Sequence, residues 1–387
     1  MGSREEYTIG LDSISLLKDP SPMASPTPPD SCTAIVLAKG LLRDAHAKTT
    51  HALVRGPSRY RILGVIDNTC AGEDAGVALD GRHRGIPVFD SVGTALEELA
   101  DDPPVHCVIG VATGGGMLPP ALRESLLEAA RAGLTLVNGL HQRLAADLEI
   151  AALAEAHGTT ILDIRTPKKT SELSFWTGEV LSLDVPVVPV LGTDCAIGKR
   201  TTCWLLRDSF AARGVAAEVV YTGQTGWLQG AEHGFVLDAT LNDFVTGELE
   251  RAILECVDEE APDLILVEGQ SALRNPSGPC GAELIVSTGA TGVVLQHAPA
   301  RVRFIDVEAL SIPLPDPREE IEIIRLLGAE VFALTLNSEG LDEDAAETER
   351  RRLESEVGFP VALPLEQGTD RVAEVLCRRL GLGRAAK

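Results

Sequence analysis

The 387-residue chain carries 57 Asp and Glu against 34 Lys and Arg, a formal charge of −23, and 44% of its residues are hydrophobic. Its length predicts two domains with separate cores, and its acidity argues against nucleic-acid or membrane partners, which select clustered basic residues. The eight cysteines form no CxxC pair, which favours a reduced, cytoplasmic location. Enzymes of this size commonly form homo-oligomers, so we expect one here.

Residues 1–33 are rich in Pro and Ser and predict a flexible arm. Short β-rich runs then alternate with helical stretches over residues 34–165, and this pattern predicts an α/β domain with a Rossmann-like parallel sheet. The longest uncharged runs contain Gly and Pro, so no membrane span is predicted. The predicted strands are 34–37, 62–67, 86–89, 105–112, 134–137 and 160–164, and the predicted helices are 121–132 and 142–156.

The periodicity lapses in residues 166–185, a polar stretch that we interpret as a linker. A second strand and helix series follows over residues 186–387 and predicts a parallel sheet of the P-loop NTPase type with helices on both faces. Its predicted strands are 187–191, 217–221, 264–267, 292–295, 331–336 and 361–364, and its clearest helices are 200–213, 244–259 and 319–327.

The strongest motif is VLGTDCAIGKRTT, in which a buried-type strand runs into a glycine-flanked turn and then a helix. Phosphate binding needs this arrangement, because loop amides, a helix N-terminus and a lysine together surround the anion. The motif departs from GxxxxGK[ST], since Arg200 replaces the hydroxyl residue. A tight turn with a surface lysine is the alternative interpretation. The predicted phosphate-binding residues are Gly192, Thr193, Asp194, Cys195, Ala196, Ile197, Gly198, Lys199, Arg200, Thr201 and Thr202, with Lys199 also catalytic.

Acidic residues near this loop suggest a Mg²⁺ site. Glu268 ends the apolar run DLILVEGQ and is predicted to hold the metal and act in catalysis, although a strand-end Glu can also cap a helix. Asp238 and the Thr201 hydroxyl are the other predicted ligands. Asp243 is a further candidate that could equally cap the following helix.

The segment YTGQTGWLQG follows the next strand, where the ligand crevice of an open parallel sheet lies. We predict that Thr222, Gln224 and Thr225 contact the substrate, although residues of these types often only form turns. Asn337 closes a strand, where its amide could contact a purine base or simply form a turn.

Arg165 and Lys168 belong to a compact basic group in an otherwise acidic chain. They could clamp a substrate carboxylate or the phosphates of CoA, or they could be solvated linker residues. The histidines show no metal-binding pattern, and we interpret His141 and His157, which flank a helix, as polar surface or capping residues.

The combination of GTDCAIGKRTT, TGQTG, DxxxxDFxxGxxE (residues 238–250) and EGQ, preceded by a Rossmann-like domain that contains AKTTHALVR, resembles the D-glutamate N-acetyltransferase family, first described as a domain of unknown function. The resemblance covers most of residues 34–387 and implies an acetyl-CoA donor and an acidic amino acid acceptor. The P-loop half is also similar to dethiobiotin synthetase. That likeness implies ATP and Mg²⁺, with Lys199 bridging phosphates, Thr201 and Glu268 holding the metal, and Asn337 contacting the base.

Together these features predict an enzyme that forms an amide bond on a small amino acid. A P-loop lysine with a strand-end acid favours ATP and Mg²⁺ activating a carboxylate as an acyl phosphate, and acetyl-CoA-dependent transfer without ATP is the alternative. A nucleotide-switched binding ATPase is a third hypothesis, but Thr193 and Asp194 stand where such proteins carry a second lysine. A nicotinamide oxidoreductase is weakly supported, because no GxGxxG follows the first strand.

Overall fold

Two six-stranded sheets follow one another along the chain in the computed structural model, which describes residues 32–305 and 307–383. Residues 1–31 of the predicted arm lie outside the described residues, and the first strand begins at Thr33. Within these described ranges, no helix is long and apolar enough to cross a membrane.

The first sheet has the strand order β3-β2-β1-β4-β5-β6, and all its pairings are parallel. Apolar side chains pack helices against both faces of the sheet, as the strand and helix alternation predicts. The strands are β1 (Thr33–Leu37), β2 (Arg61–Ile66), β3 (Val88–Phe89), β4 (His106–Ile109), β5 (Thr135–Asn138) and β6 (Ile161–Asp163), and the α-helices are α1 (Lys48–Arg55), α2 (Ala75–Asp80), α3 (Val92–Glu98), α4 (Pro120–Arg131) and α5 (Leu148–His157).

The predicted helix 142–156 begins later than the sequence pattern suggests. Asp147 is the N-cap of α5, because its carboxylate accepts hydrogen bonds from the backbone N–H groups of Glu149 and Ile150. The preceding residues Leu144–Ala146 form a separate 3₁₀ turn. The apolar spacing therefore runs through both the 3₁₀ turn and α5, and Asp147 separates the two by capping the helix.

The second sheet has the order β12-β11-β10-β7-β9-β8, again with parallel pairings. Strand β7, which leads into the P-loop, lies between β9 and β10, so the carboxyl end of β9 adjoins the loop. The strands are β7 (Val187–Gly192), β8 (Ala217–Val220), β9 (Leu264–Glu268), β10 (Gly292–His297), β11 (Glu330–Leu336) and β12 (Val361–Ala362), and the α-helices are α6 (Lys199–Ala211), α7 (Gln224–Leu228), α8 (Val245–Glu260), α9 (Ala282–Val286), α10 (Pro317–Leu326), α11 (Glu343–Val357), α12 (Pro364–Gln367) and α13 (Asp370–Leu380).

The segment between the two sheets is bound along α8 by two buried carboxylates. Glu248 accepts a hydrogen bond from Ser174 N (2.8 Å), and Glu250 accepts from Thr177 N (2.6 Å) and Val180 N (3.2 Å). These contacts fix the backbone of residues 166–185. We call this segment the strap.

The two domains share apolar core through α7. Leu228 is fully buried and belongs to the same cluster as Leu53 of α1. Arg59 of the first domain donates to the Trp227 carbonyl (3.0 Å) and places its guanidinium 4.6 Å from the Trp227 ring centre. The TGQTG segment, whose residues the sequence assigned to a ligand-contacting loop, is thus partly a short helix packed between the domains.

Candidate functional site: the P-loop and the interdomain cleft

The loop between β7 and α6 has the shape expected of an anion-binding loop. Gly198 precedes the helix with φ = 103°, a left-handed conformation that favours glycine, and turns the chain into α6. Thr193 anchors the start of the loop, since its backbone N–H donates to the Gln296 carbonyl (3.0 Å) and its hydroxyl hydrogen-bonds with His297 Nδ1 (2.9 Å).

Asp194 stabilises the P-loop through hydrogen bonds of its side chain. Its fully buried carboxylate accepts hydrogen bonds from Cys195 N (2.7 Å), Ile305 N (3.0 Å) and Arg301 Nη1 (3.0 Å). Arg301 also donates to the Cys195 carbonyl (2.7 Å). The sequence analysis missed Arg301, although a basic residue shortly after β10 was an available signal, because β10 adjoins β7.

Lys199, the first residue of α6, is 6% exposed. Its ammonium donates to the carbonyls of Asp194 (2.6 Å) and Ser271 (2.8 Å). Burial lowers the pKa of Lys199, and the charge of Lys48 at the start of α1 lowers it further. The charge of a first-domain lysine is therefore felt at the P-loop of the second domain.

Arg200 lies against the acid predicted to hold the metal. Its guanidinium is 3.3 Å from Glu268 Oε1, and its Nε donates to Gln229 Oε1 (2.7 Å). Glu268 is 3% exposed, and its other oxygen accepts from Thr222 N (3.2 Å). A positive charge from the protein thus already neutralises this carboxylate.

The two acids predicted to bind a metal ion each pair with an arginine. The described part of the chain contains no group of three His, Cys, Asp or Glu side chains that could hold a metal ion. Asp238 pairs with Arg165, and Thr202 donates its buried hydroxyl to Gln296 Oε1 (2.7 Å). Thr201, on the first turn of α6, is half-buried. Because a guanidinium stands beside the strand-end acid, these residues do not fit a bound Mg²⁺ ion.

Thr222 and Thr225 connect elements rather than line an open loop. The Thr222 hydroxyl donates to the Glu268 carbonyl (2.7 Å), and Thr225 shares a hydrogen bond of 3.0 Å with Thr49 of α1. Both threonines are 1% exposed. The AKTTHALVR motif of the first domain therefore meets the TGQTG motif of the second.

Arg165 lies at the contact between the two domains. Its Nε donates to the Gly139 carbonyl (2.7 Å), and its Nη2 donates to Gln224 Oε1 (2.7 Å). Its Nη1 forms an ion pair with Asp238. The predicted substrate residues Arg165 and Gln224 are thus in contact with each other, and both border the cleft.

Lys168 and Asn337 have partners of their own. Lys168 Nζ is 2.8 Å from Glu248 Oε2, which ties it to α8. The Asn337 amide donates to the Ile197 carbonyl (3.2 Å) and accepts from Glu339 N (2.8 Å). Asn337 therefore lies beside the P-loop, with both amide atoms engaged by the protein backbone, and its predicted base contact stays a prediction.

The described residues can bind an anion at the P-loop and hold a polar partner in the adjoining cleft. Loop amides, Lys199 and the start of α6 are the groups that an anion site of this kind requires. Arg165 and His141 of the first domain and Gln224 and Asp238 of the second meet beside it.

The architecture matches a known two-domain family. The P-loop domain of the DUF1611 family, described as a domain of unknown function, matches residues 174–373, and its Rossmann-like N-terminal domain matches residues 68–167. A crystal structure of a DUF1611 family protein from Anabaena variabilis superposes with a TM-score of 0.80 at 30% identity, covering 89% of this chain and 99% of that one.

Curated relatives extend the comparison to activity. Proteins named D-glutamate N-acetyltransferase from Tritonibacter scottomollicae and a Pseudoalteromonas species are each 27% identical, over 274 and 276 residues, covering 70% of this chain and 80% of each relative. The resemblance drawn from the motifs is thereby confirmed.

Proposed function

This chain belongs to the DUF1611 family, and from that premise we propose that it transfers an acetyl group from acetyl-CoA to the amine of a small acidic amino acid. The names of the relatives support an N-acyltransferase-like activity. Acetyl-CoA as donor and an acceptor such as D-glutamate are the finer parts of the proposal.

The ion pair of Arg200 with Glu268 is the observation that favours acetyl-CoA over ATP as the substrate bound at the P-loop. P-loop enzymes that transfer phosphoryl groups use a Ser or Thr after the lysine, and a nearby acid, to hold Mg²⁺. Here an arginine replaces that hydroxyl residue and neutralises the acid. The phosphates of CoA need amides and cationic side chains but no metal, so this loop suits CoA better than a hydrolysed nucleotide.

In the proposed reaction the P-loop binds the donor and the cleft binds the acceptor. Loop amides and Lys199 contact the donor phosphates. Arg165 and Lys48, from the first domain, supply positive charge that attracts the acceptor carboxylates. The amine then attacks the thioester carbon, the new C–N bond forms, the C–S bond breaks and CoA leaves as its thiol.

ATP-dependent carboxylate activation is the second candidate, because a P-loop lysine is typical of nucleotide-binding enzymes. It would require Mg²⁺ to displace Arg200 from Glu268. Incubation with acetyl-CoA and a panel of D- and L-amino acids, with and without ATP and Mg²⁺, separates the two. We expect CoA thiol and N-acetylated product from acetyl-CoA alone. Product that forms only with ADP or AMP release would support the second candidate instead.

Lys199→Ala tests the P-loop itself. We expect kcat/KM for the acyl donor to fall by about 100-fold or more, because the variant loses a desolvated positive charge that faces the donor phosphates. Circular dichroism and thermal melting check that the fold is retained. Lys169→Ala is the matched control, since its side chain is 83% exposed. A Lys199→Ala enzyme with the wild-type rate would contradict the P-loop assignment.

A further inference from the structure

A histidine of the first domain faces an aspartate of the second across the cleft. His141 follows the carboxyl end of β5, and Asp238 lies in the 3₁₀ turn Leu237–Ala239, after β8 and α7. The distance between His141 Nε2 and Asp238 Oδ2 is 3.7 Å. Carboxyl ends of parallel strands are where open α/β sheets bind ligands.

This pair is accessible, unlike the charged groups around the P-loop. The side chains of His141 and Asp238 are 48% and 46% exposed, whereas Glu268 is 3% exposed. The pair still adjoins the P-loop neighbourhood, because Leu237 N donates to the Thr222 carbonyl (2.9 Å) and Thr222 binds Glu268. The half-exposed imidazole is therefore accessible to a small molecule.

Contacts from both domains fix this geometry. Arg165 pairs with Asp238 while its other nitrogen donates to Gln224. The imidazole packs against Gly116, where φ is +63° and a Cβ atom would lie 2.3 Å from His141 Cδ2. Any side chain at Gly116 would displace the ring, so the backbone here is shaped around His141.

The surroundings keep the imidazole in its neutral form. Partial burial lowers the pKa of His141, and the neighbouring positive charge of Arg165 lowers it further, while Asp238 acts in the opposite direction. A histidine that is neutral near pH 7 can accept a proton.

On the basis of the proposed function, we propose that His141 is the general base that takes the proton from the acceptor amine, and that Asp238 is its positioning residue. The amino acid arrives as an ammonium ion and cannot attack until it loses a proton. The imidazole of His141 takes that proton, and the nitrogen lone pair attacks the thioester carbon. As the C–S bond breaks, the nitrogen gives up a second proton, which protonates the thiolate, and the proton taken by His141 is released to solvent, one for each N-acetyl product.

Asp238 stabilises the imidazolium that forms during this step, since its carboxylate lies within ion-pair distance of Nε2. Arg165 restrains the carboxylate from the other side. The pair spans the domain boundary, so the base is assembled only when the domains are docked. This gives the first domain a role in the chemistry beyond packing.

His141→Gln is the direct test. We expect kcat to fall by about 10² to 10⁴-fold, the usual contribution of a general base, while KM for acetyl-CoA stays within about twofold. The acidic limb that the imidazole sets in the wild-type pH profile of kcat should be lost, and added imidazole should restore part of the rate. His157→Gln, at the exposed end of α5, is the matched control.

Asp238→Asn gives a second readout that leaves the histidine in place. We expect kcat to fall by about tenfold and the acidic limb to move to lower pH, because the imidazolium loses a stabilising negative charge. Activity of the wild type in EDTA should be unchanged. A His141→Gln enzyme within about threefold of the wild-type kcat would overturn the base assignment and leave the acetyltransferase proposal intact. A wild type without acetyl transfer would overturn both.

Discussion

His297 lies behind the P-loop at the end of β10, where it hydrogen-bonds the Thr193 hydroxyl (2.9 Å). It is 7% exposed, and burial lowers its pKa to about 4, against an ordinary value of 6.5. The imidazole therefore stays neutral in the folded protein at pH values where the unfolded chain would already bind a proton.

This difference predicts a pH-dependent stability. Between pH 6.5 and 4 the unfolded state binds the proton and the folded state does not, so the free energy of unfolding falls as the pH falls. The contribution of His297 is about 1.4 kcal/mol per pH unit in that window. Urea unfolding at pH 7 and pH 5 measures it, and His297→Gln should lose less stability over this interval than the wild type. Equal losses of unfolding free energy in the wild type and in His297→Gln would contradict the lowered pKa of His297.

The individual site residues show how far sequence reasoning reaches. Arg200 was visible as a departure from the P-loop pattern, and Glu268 as a strand-end acid, but their ion pair depends on β9 lying beside β7. The pairing of His141 with Asp238 could not be predicted, because Asp238 is almost one hundred residues away in the chain and in another domain. The sequence identified individual candidate residues, whereas the contacts between them could be recognised only from the fold.

At the scale of elements, α8 is the support of the strap. Glu250 is 3% exposed and accepts hydrogen bonds from Thr177 and Val180 of the strap. Replacing it by Ala would leave the buried Val180 N–H without its acceptor, at about 1 to 3 kcal/mol, and would release the exposed Thr177.

Glu250→Ala should therefore lower the midpoint of urea unfolding and expose residues 166–185 to proteases. Asp258→Ala is the matched control, because Asp258 is an exposed acid on the same helix. Limited proteolysis followed by mass spectrometry locates the first cleavage. Cleavage elsewhere, with the strap still protected, would show that Glu250 does not anchor it.

Composition alone suggested a linker for residues 166–185, because polar residues and a proline there break the helical periodicity. The groups that order this segment are carboxylates on α8, 70 and 73 residues further along the chain.

Helix α7 was also not predicted from the sequence. It is only five residues long, and its burial comes from packing against the other domain.

At the scale of the whole molecule, Arg59 links the two domains. Its guanidinium donates to the carbonyls of Trp227 (3.0 Å) and Ala231 (3.1 Å) and is 4.6 Å from the Trp227 ring centre. Arg59→Ala should cost about 2 to 4 kcal/mol of interdomain coupling and split one calorimetric unfolding transition into two. Arg61→Ala is the control, because Arg61 pairs with exposed Asp102 inside the first domain. A single unchanged transition for Arg59→Ala would contradict this coupling.

The alternation of strands and helices was sufficient to predict two parallel α/β domains, since each strand that the pattern marked overlaps an observed one. This alternation could not predict that α7 packs against α1, because that packing depends on the shapes of the two surfaces. The charge of −23 also takes on a sharper meaning. Arg200 and Arg301 balance the buried Glu268 and Asp194, which leaves Lys199 as the positive charge at the P-loop to which an anionic donor would be drawn.

The most direct test of the central claim is the stoichiometry of acetyl transfer without a metal. Wild-type protein in EDTA, with acetyl-CoA and D-glutamate but no ATP, should release one CoA thiol for each N-acetylated product, because Arg200 takes the place of Mg²⁺ beside Glu268. Product formation that requires Mg²⁺ and ATP, with one ADP or AMP released per turnover, would contradict the account.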